Sequence, residues 1–183
     1  MIAAGLTWYV TRGSGLVALV LLTIAFVLGI PTARSFDRRG APRLVVQLLH
    51  RNASLLAVVF LGVHVATTVA DSFVHIRVVD AFVPFASGYR TLWLGLGTIA
   101  LDLMLAVIVT SLLRHRLTYR TWRTVHLAAY GCWPIALLHG LQIGSDAGFT
   151  WMRWTVAGCA AAAIAAVAVR IARPVRAVVA AMR

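Results

Sequence analysis

Five long, almost uninterrupted apolar runs alternate with short polar connections along the chain. They extend over about Trp8 to Ile30, Leu44 to Ala70, Leu92 to Leu113, Thr121 to Ile143 and Trp151 to Ile171. A helix that crosses a bilayer needs about 20 mostly apolar residues, so all five read as transmembrane helices. The fold class that follows is all-α, an integral membrane bundle of five spans, with residues 1–183 forming a single domain. The first run has features of a secretory signal, with Arg12 ahead of an apolar core and Pro31, Thr32 and Ala33 after it. Arg34, Arg38 and Arg39 follow, and such charges resist translocation, which argues for a retained anchor. Between the second and third runs, Asp71 to Arg90 is too short and too polar to span. It predicts an amphipathic or re-entrant piece lying on the membrane surface. The tail ARPVRAVVAAMR predicts a short basic helix at the interface.

Charge orients this bundle. All 17 basic residues are arginine, the 5 acidic residues are aspartate, and the net charge is +12. The arginines sit in the connections: Arg34, Arg38, Arg39 and Arg43 after the first run, and Arg114, Arg116, Arg120 and Arg123 after the third. Arg170, Arg173, Arg176 and Arg183 lie in the tail. The other side carries Arg77 and Arg90, with Arg12 and Arg153 near span ends. Cytoplasmic loops hold the arginine excess, which predicts an outer N-terminus and a cytoplasmic C-terminus. Trp8, Tyr9, Tyr89, Trp93, Trp151 and Trp154 would mark the outer interface, and Tyr119 and Trp122 the inner one. Arginine distributed this way is topology information and not a nucleic-acid face, so no nucleic-acid partner is expected. With 61% apolar residues the chain is far from a soluble composition, and its partner is the lipid bilayer. Cys132 and Cys159 both lie inside apolar runs, which disfavours a disulfide framework or a thiolate metal site. No phosphate-cradling glycine motif is present. Electrons or substrates must then come from a partner.

Four histidines break the apolar runs in pairs: His50 and His64 in the second, His126 and His139 in the fourth. Those two spans run in the same direction. His50 and His126 therefore fall at one depth near the cytoplasmic side, and His64 and His139 at another near the outer side. The two levels stand about 20 Å apart at 1.5 Å per residue. Titratable side chains inside a membrane are costly and usually functional. Two imidazoles facing each other at each level is the arrangement that bis-histidine haem ligation requires. Zinc or copper is disfavoured, because neither level supplies a third protein ligand. A separation of 14 residues returns to within about 40° of the same helix face, whereas 13 misses by about 140°. Gly131 and Pro134 lie between His126 and His139 and can kink or rewind that helix.

The stretches HRNASLLAVVFLGVH (residues 50–64) and YRTWRTVHLAAYGCWPIALLHG (residues 119–140) resemble the ferric-reductase-like transmembrane domain. That superfamily includes NADPH oxidases, ferric reductases and the haem-bearing membrane subunit of the bacterial methionine sulfoxide reductase system. The resemblance covers about Trp8 to Gly140, including the Trp122-x-x-x-His126 approach. It implies two b-type haems stacked across the bilayer, His50 and His126 holding the inner one and His64 and His139 the outer one. It also implies electron flow from inside to outside, and places Arg12 beside the haem propionates. The chain departs from the larger members by having five spans where they have six, and by lacking their cytosolic FAD/NADPH domain. The donor is thus expected to be a partner flavoprotein reductase or a quinol, the acceptor extracytoplasmic, and the location the cell membrane, that of a bacterium.

Arg51, like Arg12, lies at a depth where charge is costly. Both are candidate propionate partners, because a guanidinium pairs a carboxylate bidentately and tolerates poor hydration. Asp102 falls mid-span and is read first as a carboxylate bonded to a neighbour, second as an orienting or proton-relay group. Trp133 is read as packing, His75 and His115 as interfacial loop residues. Gly13, Gly15 and Gly62 can admit a close neighbour, helix or macrocycle. The non-redox alternative, a membrane scaffold or transport subunit, would leave the four depth-matched histidines without a purpose.

Overall fold

The computed structural model describes residues 2–30, 43–72 and 74–181. Arg34, Arg38, Arg39 and Arg183, on which much of the expected orientation rests, lie outside them. The described residues form helices α1 (Ile2–Gly29), α2 (Arg43–Ala70), α3 (Val78–Phe82), α4 (Thr91–Leu112), α5 (Tyr119–His126), α6 (Ala129–Ile143) and α7 (Thr150–Ala181). Among the described residues, four stretches are single helices long and apolar enough to cross a membrane: Gly5–Gly29, Leu44–Ala70, Thr91–Leu112 and Thr150–Ala172.

The fourth apolar run departs from a single continuous helix. It is divided into α5 and α6 by a turn at Leu127 and Ala128. Around that turn the backbone bonds tighten to a three-residue reach, from Ala128 N–H to Val125 O, Tyr130 N–H to Leu127 O and Gly131 N–H to Ala128 O. Thr118 opens α5, its hydroxyl accepting the Thr121 N–H at 3.2 Å. Pro134 lies within α6, which continues through it. The break thus falls before Gly131 and Pro134. The tail also differs from expectation: no separate terminal helix forms, and α7 runs unbroken to Ala181. It is alanine-rich between Ala157 and Ala172, which favours the helix there, and it continues through Pro174.

α1 packs along α2 and also touches α6 and α7, while α4 packs along α6 and meets α3 and α5. Two registers fix the core. The ring of His64 reaches the carbonyl of Thr11, and that of His50 the carbonyl of Ala25. Both partners are fourteen positions apart, so α1 and α2 are antiparallel and in step. The Cys132 thiol donates to Ala100 O at 3.3 Å, and the His139 ring reaches Trp93 O, an antiparallel register of seven for α4 and α6. Between the two histidine levels lies an apolar plug of Ala100, Met104 and Cys132, packed by Leu22, Leu61 and Ile135. A second cluster joins α6 to α7 through Trp133, Cys159 and Ala163, with Phe26 of α1 against it. There the Trp133 indole donates to the Thr23 hydroxyl at 2.9 Å, which in turn donates to Leu19 O. Trp133 is a packing residue with its one polar group satisfied.

The connection from Asp71 to Arg90 forms the expected amphipathic piece. In α3, Asp80 is buried while Val78, Val79 and Phe82 are exposed. Asp80 closes the helix start by accepting the Arg77 N–H at 3.0 Å, and it pairs the Arg77 guanidinium at 2.8 Å. The Thr98 hydroxyl of α4 donates to Asp80 O at 2.9 Å. The Arg77 side-chain bond, foremost among these contacts, holds the Asp80 carboxyl below its ordinary value. A depressed carboxyl stabilises the fold above its unfolded value, near 3.9, and that contribution is lost as pH falls through the lower folded value. Asp80→Asn should therefore speed amide exchange across residues 77–83 at neutral pH and leave α1, α2 and α4 unchanged. Unaltered exchange in that segment would show that the clasp does not hold it.

Candidate functional site

The four histidines that interrupt the apolar runs meet in the pairs expected of them. The ring centroids of His50 and His126 stand 6.3 Å apart, with planes at 69°. Those of His64 and His139 stand 6.4 Å apart, with planes at 82°. His50 and His64 come from α2, His126 from the end of α5 and His139 from α6. The turn at Leu127 and Ala128 resolves the angular mismatch of thirteen residues, because the two rings belong to differently set helices.

Three of the rings are held through Nδ1. His50 bonds Ala25 O, His64 bonds Thr11 O and His139 bonds Trp93 O, each at 2.8 Å. A carbonyl only accepts, so Nδ1 must carry the proton in each. Nε2 then keeps its lone pair, the form a metal requires. His126 is the exception, its Nδ1 buried without a bonding partner.

Glycines make room for these rings. A Cβ on Gly15 would lie 2.8 Å from Nδ1 of His64, and one on Gly97 would overlap the His139 ring. Gly29 faces His50 more loosely, at 3.4 Å from Cε1. Gly15 and Gly29 repeat the fourteen-residue step of the histidines they face, a correspondence visible in the sequence once α1 and α2 are taken as antiparallel. Gly13 and Gly62, by contrast, face open space.

Around the His64–His139 pair is a cavity of about 460 Å³, within the range of small-molecule sites. Trp8, Arg12, Asp71, Asp80 and Arg90 give it a polar rim, and Leu22, Leu61 and Met104 an apolar floor. Arg12 reaches it with its guanidinium bonded to Asp146 at 2.8 Å and lying over the Trp8 ring. Asp146 was not singled out from the sequence; it follows α6 in a short turn and carries no motif. Arg51 is exposed on α2, one residue from His50. Asp102 is half-buried on α4 and does not line the cavity. His75 and His115 are exposed, in the connections where the sequence places them.

A haem fits this donor set. An imidazole nitrogen lies about 1.1 Å from the ring centre and bonds a first-row metal at about 2.0 Å, so two rings flanking one ion stand about 6.2 Å apart. Both pairs match that separation. No cluster of three or more histidine, cysteine or aspartate side chains occurs among the described residues.

Residues 14–140 match the family model described as ferric reductase like transmembrane component. The chain belongs to that family. The match takes in all four paired histidines together with Gly15, Gly29 and Gly97, while Arg12, Asp146 and α7 lie outside it. Membership and the apolar helices make it a multi-pass membrane protein. At the coarse level, the family points to electron transfer within the membrane. No curated protein and no solved structure matches the chain.

Proposed function

We propose that this ferric-reductase-like chain is the haem-bearing membrane component of an electron-transfer system. His50 and His126 would hold an inner b-type haem, and His64 and His139 an outer one. The observation that carries the reading is the repeated ring separation, 6.3 and 6.4 Å at two levels of one bundle. Each haem, when bound, supplies a one-electron carrier tuned by its axial ligands and surroundings.

The chain's own contribution is to hold and shield. Carbonyls of Thr11, Ala25 and Trp93 fix ring orientation and raise ligand basicity through Nδ1. Ala100, Met104 and Cys132 exclude water between the levels. Arg12 is the propionate partner at the outer cavity, and Arg51, exposed on α2, is the candidate for the inner one. α5 and α6 together extend over Tyr119–Ile143, roughly 35 Å of helix, which suffices for a fifth crossing. The arginine-rich connections then put the N-terminus outside and the C-terminus in the cytoplasm. A flavoprotein or a quinol would donate at the inner side, and an acceptor outside the cell membrane would take the electrons.

The visible spectrum of the detergent-purified protein, before and after dithionite, tests this together with haem quantified per chain. A low-spin b-type spectrum with two haems per polypeptide is expected. A colourless protein would overturn the proposal, and one haem per chain would remove the two-level carrier.

A further inference from the structure

One ring is held differently from the other three. His126 has no carbonyl on Nδ1, and no glycine among the described residues is cut away for it. What fixes it is Trp122, one turn earlier on α5, whose indole stacks on the imidazole at 4.9 Å between centroids and 23° between planes. The guanidinium of Arg114, from the exposed turn between α4 and α5, lies over the Trp122 ring at 4.5 Å. The order is Arg114, Trp122, His126, His50. Local structure explains why. His126 is the last residue of α5, next to the turn at Leu127, and its Nδ1 is offered no carbonyl of a neighbouring helix as it would be within α2 or α6.

We infer that Trp122 is the positioning residue for His126, doing by face-to-face contact what backbone carbonyls do for His50, His64 and His139, with Arg114 holding the indole in turn. Stacked aromatic pairs and guanidinium–indole contacts are each comparable in strength to one hydrogen bond. They resist tilting of the ring but not sliding. An Nδ1–H without an acceptor also leaves Nε2 a poorer donor than in the three bonded rings. His126 is thus the weakest of the four ligands, and the inner site the one whose coordination opens first.

This rests on the haem reading above, and its test separates the two. In a His64→Ala background the outer site is disabled and the remaining haem reports the inner one alone. There Trp122→Ala should turn a six-coordinate haem that ignores carbon monoxide into one that binds it on reduction. The low-spin signal in the electron paramagnetic resonance spectrum of the oxidised protein should shift at the same time. Trp122→Phe, which keeps a stacking ring, should restore both parental signatures. Loss of the remaining haem in Trp122→Ala, restored by Phe, carries the same conclusion. Carbon monoxide behaviour and resonance spectrum unchanged from the background would overturn the positioning role and leave the haem reading intact. Absence of haem from the unmutated protein would overturn that reading, and the inference with it.

Discussion

His64→Ala and His139→Ala should each delete one and the same haem, and His50→Ala and His126→Ala should each delete the other. Haem per chain should fall from two to one in every single variant, and to none in His50→Ala/His64→Ala. The reason is reach. Within a level the ring centroids are 6.3 or 6.4 Å apart, whereas the two histidines of α2 are separated by fourteen residues of unbroken helix, about 20 Å. No side-chain rearrangement carries an imidazole across that distance through the plug of Ala100, Met104 and Cys132. Reduced-minus-oxidised spectra of the four variants should therefore sort into two matching pairs. If His50→Ala and His139→Ala left the same spectrum, the pairing would be wrong, and with it the parallel setting of α2 and α6.

Gly97→Ala should abolish the outer haem as completely as loss of a ligand, although it adds a single methyl group. The new Cβ would overlap His139 at its Cε1 and Nδ1 and stand only 3.0 Å from its Cγ, close to the root of the side chain. The ring can escape only by giving up its Nδ1 bond to Trp93 O, and then it no longer faces His64. Gly15→Ala presses on the same site from the other side, 2.8 Å from Nδ1 of His64, and should act in the same direction. Gly29→Ala makes an ordinary contact of 3.4 Å with His50 and should keep both haems. Gly131→Ala meets nothing within 4 Å and should raise helix stability by about 1 kcal/mol with haem content unchanged. Haem content and thermal unfolding of the four variants check the series. Equal effects at Gly97 and Gly29 would show that ring clearance does not govern ligation.

Much of this molecule is legible before any folding is considered, because a bilayer constrains sequence directly. Spans must be apolar and about 20 residues long, and charges must stay out of them. The apolar runs therefore mark α2 and α4 to within a residue and fall on the longer α1 and α7, and the four intruding histidines stand out as exceptions. Their depths alone imply the pairs that the bundle brings together. The short amphipathic α3 follows from a connection too polar to be buried whole.

Other features belong to tertiary structure alone. A periodicity argument assumes one straight helix, so it could not place the break at Leu127 and Ala128. α5 is polar and basic and α6 is apolar, but neither Leu127 nor Ala128 is a residue that stops a helix, and the neighbouring helices set the angle between the two. The carbonyls of Thr11, Ala25 and Trp93 are backbone atoms that every residue possesses, and interhelical register selects which of them a ring meets. Gly97 reads as one more small residue in a span until α6 is laid against α4. The i,i+4 spacing of Trp122 and His126 already sets those two rings on one face, but the contact of Arg114 with Trp122 joins a loop to that helix only in the folded bundle. Sequence by itself determined that this chain enters the membrane and carries two pairs of imidazoles within it. Packing decided what holds each ring, because hydrogen-bond partners and clearances of a few tenths of an ångström depend on how helices are set against one another.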